Sequence, residues 1–180
     1  MSAARLLGCA LALNATFLVS GCFQANYPPL PTVRSVDLSR YTGNWYEIAL
    51  LPNRFQKVCV SDTQANYNLD GDRVRVRNRC RNSENKIEEA NGIAKVVEQS
   101  GNAKLRVSFF RPFYGNYWIL ALDPDYRWVL IGEPSRKYGW ILSRSPTLDE
   151  STVRSVLDKA ESLGYRRSDF KLSPQPDPLD

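Results

Sequence analysis

Residues 43–51 read Gly-Asn-Trp-Tyr-Glu-Ile-Ala-Leu-Leu, and the pair Pro52-Asn53 follows directly. Aromatic, β-branched and other apolar side chains are concentrated in this short stretch, as they are in β-strands. Proline and asparagine form turns, because proline fixes its own φ angle and asparagine tolerates unusual backbone conformations. We therefore predict that residues 43–51 form a strand and that the chain turns after it.

Seven further stretches of the same kind follow, and every gap between them holds Gly, Pro, Asn or Asp. The predicted strands are residues 58–69, 73–81, 86–98, 104–110, 115–123, 127–133 and 137–144. Eight short strands joined by tight turns favour an all-β fold, an eight-stranded up-and-down antiparallel barrel, because closure removes the exposed edges of a sheet. A barrel of eight strands has space for one small ligand.

One helix is predicted after the strands, over residues 149–163. Thr147 or Asp149 can cap its start, and Gly164 follows its end. Its apolar residues recur at helical spacing and form one stripe, so the helix is expected to pack outside the barrel. They are Val153, Val156, Leu157, Ala160 and Leu163. Residues 173–180 contain three prolines and are predicted to be a loose tail.

The predicted strand 73–81 alternates arginine with smaller side chains. One face carries Val74, Val76, Asn78 and Cys80, and the other carries the five arginines, Arg73, Arg75, Arg77, Arg79 and Arg81. If residues 68–71 form the turn, Cys59 lies directly opposite Cys80, within reach of a disulfide. Two buried free thiols, or a bulge that shifts the register, are the alternatives. The arginine face is either a solvated surface or one that orients the barrel on anionic lipid.

The N-terminus is predicted to be a targeting segment, residues 1–21. An apolar run from Leu6 to Val19 follows the single charge of Arg5 and falls short of the ~20 residues of a transmembrane helix. The run ends in Val-Ser-Gly-Cys22, which resembles the lipobox of bacterial lipoproteins, in which the cysteine is lipidated. An ordinary signal peptide is the alternative. Residues 22–36 are Pro-rich and are predicted to be the lipidated Cys and its tether.

Composition argues against several function classes. The chain of 180 residues has no histidine, so the commonest general base and the commonest metal ligand are missing. We therefore expect no catalytic residue, no metal and no cofactor. The net charge of +5 comes without a recognised nucleic-acid-binding motif, so no nucleic-acid partner is expected.

Three motifs occur in the order and spacing of the lipocalin family. They are Gly43-Asn44-Trp45-Tyr46-Glu47-Ile48, Asp123-Pro124-Asp125-Tyr126 and Trp140-Ile141-Leu142-Ser143-Arg144. The chain thereby resembles a bacterial lipocalin of the Blc-type outer-membrane lipoproteins, and is also similar to apolipoprotein D and plant temperature-induced lipocalins. The resemblance implies a barrel domain over residues 37–172 and a structural role for five motif residues, Gly43, Trp45, Asp123, Tyr126 and Arg144. Trp45 is expected to close the narrow end, with Arg144 across its indole.

The ligand-facing residues are predicted from strand alternation, counted from Arg144, together with a two-residue turn at Pro124-Asp125. The inward set is Tyr117, Ile119, Ala121, Trp128, Leu130, Tyr138 and Trp140. Plain core packing of these side chains is the alternative. Such a cavity suits a fatty acid or a lysophospholipid, whose charged group is expected at the rim, where Arg54, Lys57 or Arg111 can pair with it.

The expected function is therefore binding of a small lipid in the cavity of a membrane-anchored lipocalin, for envelope lipid storage or transport. Phe23 rather than Asp follows the lipobox cysteine, and the resemblance then implies the outer membrane, with the barrel on the periplasmic side. A homodimer is compatible with the sequence. The alternatives are an envelope interaction module without a small ligand and a lipid-modifying enzyme.

Overall fold

The computed structural model describes residues 27–179, so the predicted targeting segment and Cys22 lie outside the described residues. Eight antiparallel strands form the predicted barrel, and each of them pairs with the next along the chain. They are β1 (Gly43–Leu50), β2 (Ser61–Asp70), β3 (Arg73–Arg81), β4 (Ile87–Val96), β5 (Lys104–Phe110), β6 (Phe113–Leu122), β7 (Trp128–Gly132) and β8 (Gly139–Ser143). Because β1 pairs with both β2 and β8, the sheet closes. The predicted fold class is confirmed.

The remaining elements are α1 (Leu38–Tyr41), α2 (Glu150–Ser162), a 3-10 turn (Arg167–Asp169) and β9 (Lys171–Leu172). The predicted helix is α2, and Asp149 caps it by accepting a hydrogen bond from the backbone N–H of Thr152 at 2.8 Å. Its buried residues Val156 and Ala160 pack against the outside of the barrel. No helix among residues 27–179 has both the length and the hydropathy to cross a membrane.

Two apolar clusters lie on opposite sides of the sheet. Trp45, Ile119 and Ile131 belong to the cluster inside the barrel. Leu130 and Ile141 belong to the cluster between the barrel wall and α2. Both faces of the β6–β8 region are therefore buried, so apolar content alone does not tell which of its residues point inward.

The barrel has two different ends, because connections alternate between them in an up-and-down sheet. The turns at one end, called the closed end here, are residues 71–72, 97–103 and 123–127. The loops at the other, called the open end here, are residues 51–60, 82–86, 111–112 and 133–138. The helix α1 lies at the closed end, where the indole N–H of Trp45 donates to the backbone oxygen of Tyr41 at 2.8 Å.

Motif residues hold the closed end together. The Arg144 guanidinium lies 3.9 Å from the centre of the Trp45 ring, as the resemblance implied. Gly43 has φ +92°, and a Cβ there would contact Arg144 at 3.4 Å. Asp123 shapes the β6–β7 turn by accepting hydrogen bonds from its backbone N–H groups. The Tyr126 hydroxyl accepts from the backbone N–H of Asp37 at 2.9 Å, which ties that turn to the start of α1.

The disulfide between Cys59 and Cys80 is confirmed, with a Cα–Cα distance of 5.5 Å. The register proposed for it is wrong, however. Asp70 pairs with Arg73, so the β2–β3 turn has two residues rather than residues 68–71, and β2 has an irregularity between Ser61 and Gln64. Cys59 precedes β2 and reaches Cys80 from the 51–60 loop. Closing a loop of this length stabilises the fold by ~3 kcal/mol through the unfolded state.

The end of the chain is not a loose tail, because it fills a seam in the barrel wall. β1 and β2 pair directly only over residues 43–46 and 64–67, and β9 then pairs with β1. Backbone groups left open by the diverging strands need partners, and an extended Pro-rich segment supplies them. The bonds run from Ser173 N to Ile48 O, from Asp62 N to Pro174 O, and from Gln175 Nε2 to Glu47 O and Thr63 O, each at 2.9 Å.

The described part of the predicted tether is also packed on the barrel. Leu30 and Val36 are buried. The backbone N–H of Val36 donates to Gly101 O at 2.8 Å. The structured domain therefore begins before residue 37, since apolar residues within the Pro-rich stretch find partners on the barrel wall.

Removing residues 173–180 should lower the free energy of unfolding by about 3–6 kcal/mol, since several hydrogen bonds of ~1 kcal/mol each are lost and strand groups are left unpaired. Urea denaturation followed by circular dichroism measures the change. Pro178→Ala, at an exposed position of the same segment, is the control and should leave the midpoint unchanged. Equal midpoints for the truncated and full chains would show that the seam does not need this segment.

Candidate ligand cavity

The structure places three of the seven predicted ligand-facing residues inside the barrel. Tyr117, Ile119 and Trp140 belong to the interior cluster. Tyr138 lies just before β8 at the open end, where its ring stacks on Trp140 with centroids 6.2 Å apart and an angle of 9°. Phe55 approaches Tyr138 from the 51–60 loop, with ring centroids 5.9 Å apart. These aromatic residues therefore line one side of the mouth.

Ala121, Trp128 and Leu130 were predicted to face inward, and that prediction is wrong. Leu130 belongs to the cluster under α2, outside the barrel, and Ala121 and Trp128 pack against that cluster. The cause is a bulge in β6 between Ile119 and Ala121, which turns Ala121 out of the barrel. Leu130 pairs with Ala121 and therefore faces outward with it. The β6–β7 turn is also longer than two residues, since the backbone N–H of Asp123 donates to the oxygen of Trp128, but this moves the pairing by two residues and leaves the faces unchanged.

Val129 and Ile131 take the interior positions on β7 instead. Ile119 lies before the bulge, where it pairs with Ile131, and both face inward. The sequence does carry a signal for the longer turn. Asp123 begins it, and its side chain accepts from the backbone N–H groups of Asp125 and Arg127, as an aspartate at the start of a turn commonly does.

Three tyrosines that strand alternation did not bring together form a layer across the barrel. The Tyr117 hydroxyl lies 2.8 Å from that of Tyr41 and 2.9 Å from that of Tyr67. Burial raises the pKa of Tyr67 to about 12 and raises the pKa of Tyr41 and Tyr117 well above the usual 10.0. The layer is therefore uncharged at neutral pH, and its hydroxyls satisfy one another.

The space between the tyrosine layer and α1 is almost filled. A cavity of ≈ 10 Å³ lies there, bordered by Leu38, Tyr41 and Val74 among others. This volume is close to the least that holds one water molecule. The tyrosine layer therefore forms a floor across the barrel, below its open end.

Glu47 is a buried carboxyl on the inner side of β1, also missed from the sequence. It accepts hydrogen bonds from Gln56 Nε2 at 2.7 Å and Ser173 Oγ at 2.6 Å. Gln56 Oε1 in turn accepts from the indole N–H of Trp140 at 2.8 Å. Burial raises the pKa of Glu47, while the two hydrogen bonds act in the opposite direction. The Glu47 group connects the 51–60 loop, the C-terminal segment and the Trp140 wall.

The cavity walls are apolar but incompletely covered. Val107, Tyr117 and Trp140 pack against the interior cluster and still retain exposed surface. By contrast, Ile119 and Ile131 are fully buried. Residues 27–179 hold no group of three His, Cys, Asp or Glu side chains arranged for a metal ion. What the interior offers chemically is apolar and aromatic surface with the Glu47 carboxyl and a few neutral hydrogen-bonding groups.

The sequence and structure match known proteins over most of the chain. The model of the lipocalin-like domain family matches residues 36–175. Temperature-induced lipocalin-1 of Arabidopsis thaliana is 38% identical over 156 residues, which cover 82% of this chain and 84% of that protein. The outer membrane lipoprotein Blc of Escherichia coli K12 is 38% identical over 175 residues, 96% of this chain and 98% of that protein.

Among solved structures, insecticyanin of the tobacco hornworm Manduca sexta matches this chain with a TM-score of 0.68. It is 23% identical, and the match covers 84% of this chain and 87% of that one. At that identity the likeness concerns the fold alone.

Replacing Glu47 by Gln should raise stability relative to wild type, and increasingly so as pH rises. A carboxyl whose folded pKa exceeds its ordinary value of 4.5 stabilises the fold while protonated. The wild type therefore loses stability as the pH rises from about 4.5 through the folded pKa of Glu47. The glutamine amide of Glu47→Gln does not titrate, so the variant does not lose stability in this way. Urea unfolding at several pH values measures the difference.

Glu84→Gln is the matched control, because Glu84 is an exposed carboxylate paired with Lys86 at 2.6 Å. Its stability should follow the pH dependence of the wild type closely. A difference between Glu47→Gln and wild type that stays constant with pH would show that burial does not raise the pKa of Glu47.

Proposed function

The chain belongs to the lipocalin family, and we propose that it binds one fatty acid or lysophospholipid, with the acyl chain in the barrel above the tyrosine layer. Family and fold support binding of a small hydrophobic ligand. The observation that carries the more specific proposal is the accessible apolar wall formed by Val107, Tyr117 and Trp140. A flexible alkyl chain suits a narrow space between aromatic and aliphatic side chains.

Burial of the alkyl chain supplies the affinity. Each methylene moved from water into an apolar site contributes ~0.8 kcal/mol, so ten of them contribute ~8 kcal/mol before the costs of ordering. The neutral tyrosine hydroxyls at the floor remain hydrogen-bonded to one another, so an apolar chain end meets no unpaired charge there.

Electrostatics supports a ligand whose charged group lies at the mouth. Glu47 is a buried carboxyl in the upper barrel, and when ionised it repels a carboxylate or phosphate placed deep inside. Arg54, Lys57 and Arg111 are exposed in the loops of the open end. These cations are available to pair with an anionic head group at the rim.

We also propose that Cys22 is lipidated and holds the protein at the outer membrane, with the barrel on the periplasmic side, in a role of envelope lipid storage or transport. The lipobox-like Val-Ser-Gly-Cys22 supports the anchor. The relative from Escherichia coli is named an outer membrane lipoprotein, and its match spans 96% of this chain.

Binding without chemistry is the proposal that the sequence supports, since the 180 residues include no histidine to activate a nucleophile. Mass spectrometry of lipids extracted from the purified protein tests the ligand class. A stoichiometric fatty acid or lysophospholipid is expected. Recovery of no lipid together with no uptake of added acyl chains would favour an interaction module, and turnover of an added acyl ester would favour an enzyme.

Trp140→Ala should weaken binding of a fluorescent fatty acid by about 1–3 kcal/mol, or roughly 5- to 150-fold, because that ring faces the cavity. Trp128→Ala is the matched control, because its ring lies outside the barrel wall against the α2 cluster. It should lower the free energy of unfolding and leave the affinity within about twofold. Fluorescence titration, with displacement by unlabelled lipid, measures both; equal affinity losses would contradict the assignment of faces.

Cys22→Ser should release the protein from membranes or leave the leader uncleaved, because a lipobox cysteine is the acceptor of the lipid. Cell fractionation and the intact mass of the processed chain measure this. Cys9→Ser, within the predicted targeting segment, is the control and should fractionate as wild type. The same membrane fraction and mass for Cys22→Ser and wild type would remove the anchor from the proposal.

A further inference from the structure

Exposed apolar side chains gather at the open end of the barrel. Phe110 and Phe113 flank the 111–112 tip and are 76% and 71% exposed, with their rings stacked 6.4 Å apart. Phe55 in the 51–60 loop is 67% exposed. Further exposed apolar residues at this end are Val58, Ile87 and Phe109. Among the strands and turns described, only Leu69 is such a residue at the closed end.

Charge is divided between the two ends in the same way. The open-end loops contain six basic residues, Arg54, Lys57, Lys86, Arg111, Arg136 and Lys137, against two acidic ones, Glu84 and Glu133. The closed-end turns contain four acidic residues, Asp72, Glu98, Asp123 and Asp125, against one basic residue, Arg127. An anionic surface is therefore attracted more strongly to the loops of the open end than to the turns of the closed end.

The N-terminal segment leaves the described structure beside the open end. Arg136 of the 133–138 loop donates to the backbone oxygen of Pro28 at 2.7 Å, and its guanidinium lies 4.9 Å from the Tyr27 ring centre. From there the chain runs along the wall to Val36, which is bonded to the closed-end turn at Gly101. Five residue steps separate Tyr27 from Cys22, a reach of at most ~18 Å.

We propose that the open end is a docking face for an anionic lipid bilayer, with the phenylalanines of the 111–112 tip inserted at the interface and the loop cations among the head groups. Membrane docking is a property separate from the proposed ligand binding. It depends on the proposed lipid anchor at Cys22 only in that the anchor keeps the open end close to the membrane. Aromatic rings settle at the level of the head groups, and each nearby cation strengthens attachment about fivefold. The mouth of the cavity then opens onto the membrane that holds acyl chains.

The arginine face of β3 is the competing membrane contact, and its charges are largely engaged. Arg75 pairs with Asp70 at 3.2 Å. Arg81 lies 3.1 Å from Asp62 and 2.6 Å from Asp177. This face also runs along the barrel wall with few apolar neighbours, whereas the open end combines cations with exposed rings. The observations therefore favour the open end.

The test uses protein that starts at Phe23, which contains every described residue from 27 to 179 and thus all the packing of the barrel. Co-sedimentation is measured with vesicles of phosphatidylethanolamine and phosphatidylglycerol at low and high salt. We expect binding that salt weakens. The variant Phe110→Ser/Phe113→Ser should lose at least roughly tenfold in vesicle affinity. Arg54→Gln/Lys57→Gln/Arg111→Gln should lose the salt dependence.

Arg73→Gln/Arg75→Gln/Arg77→Gln is the matched charge control and should bind vesicles nearly as wild type does. A loss in this control with none in the phenylalanine variant would assign docking to β3 and overturn the proposal. Absence of vesicle binding at low salt would overturn it too. So would a wild-type dimer that the phenylalanine variant converts to monomer in sedimentation velocity, because the rim would then join two copies of the chain.

Acyl-chain binding in solution separates this proposal from the proposed function. The phenylalanine variant should bind a fluorescent fatty acid as tightly as wild type does, and its thermal unfolding should match. Intact acyl binding without vesicle binding would remove the docking face alone. Vesicle binding that follows the expected variant pattern, without any acyl binding, would remove the ligand and leave the docking face.

Discussion

The contact of Arg144 with Trp45 closes one end of the barrel, and the difference between the two ends depends on it. The guanidinium lies 3.9 Å from the indole centre and donates to the backbone oxygens of Asn44 at 2.8 Å and Arg40 at 2.7 Å. It thereby joins the end of β8 to the start of β1 and to α1. Burial lowers the pKa of Arg144 below its ordinary value. An arginine guanidinium is a cation in proteins, so the contact with the indole face is a cation–π contact. The contact thereby seals this end of the barrel.

The sequence predicts the number and order of strands well, because turn residues mark the strand ends and these are local signals. β5 and β3 begin and end as predicted, and the cap at Asp149 gives the start of α2. Which face a residue occupies is less predictable, since one residue more or less in a turn or bulge reverses it. Trp140 and Trp128 look equivalent in the sequence, yet one lines the interior and the other lies under α2.

The polar interior depends on contacts across the barrel, which no local pattern contains. Tyr41 and Tyr117 are far apart along the chain and meet only when the sheet closes. Glu47 belongs to the first motif, but its partners come from a loop and from the C-terminal segment. The prolines of the tail predict a loose segment, whereas its extended form fills the seam between β1 and β2. Its partners become visible only with the strands in place.

The mouth gains rigidity on one side from these same contacts. Cys59 fixes the end of the 51–60 loop to β3, and Gln56 fixes its middle to Glu47 and Trp140. The opposite tip at Phe110 and Phe113 has two connecting residues and little cover. Folding does not require large apolar rings there, and exposed apolar surface promotes association. The open end thus combines a rigid side, an exposed apolar tip and a surplus of basic residues. These three features suit a binding protein that takes up its ligand from a lipid surface.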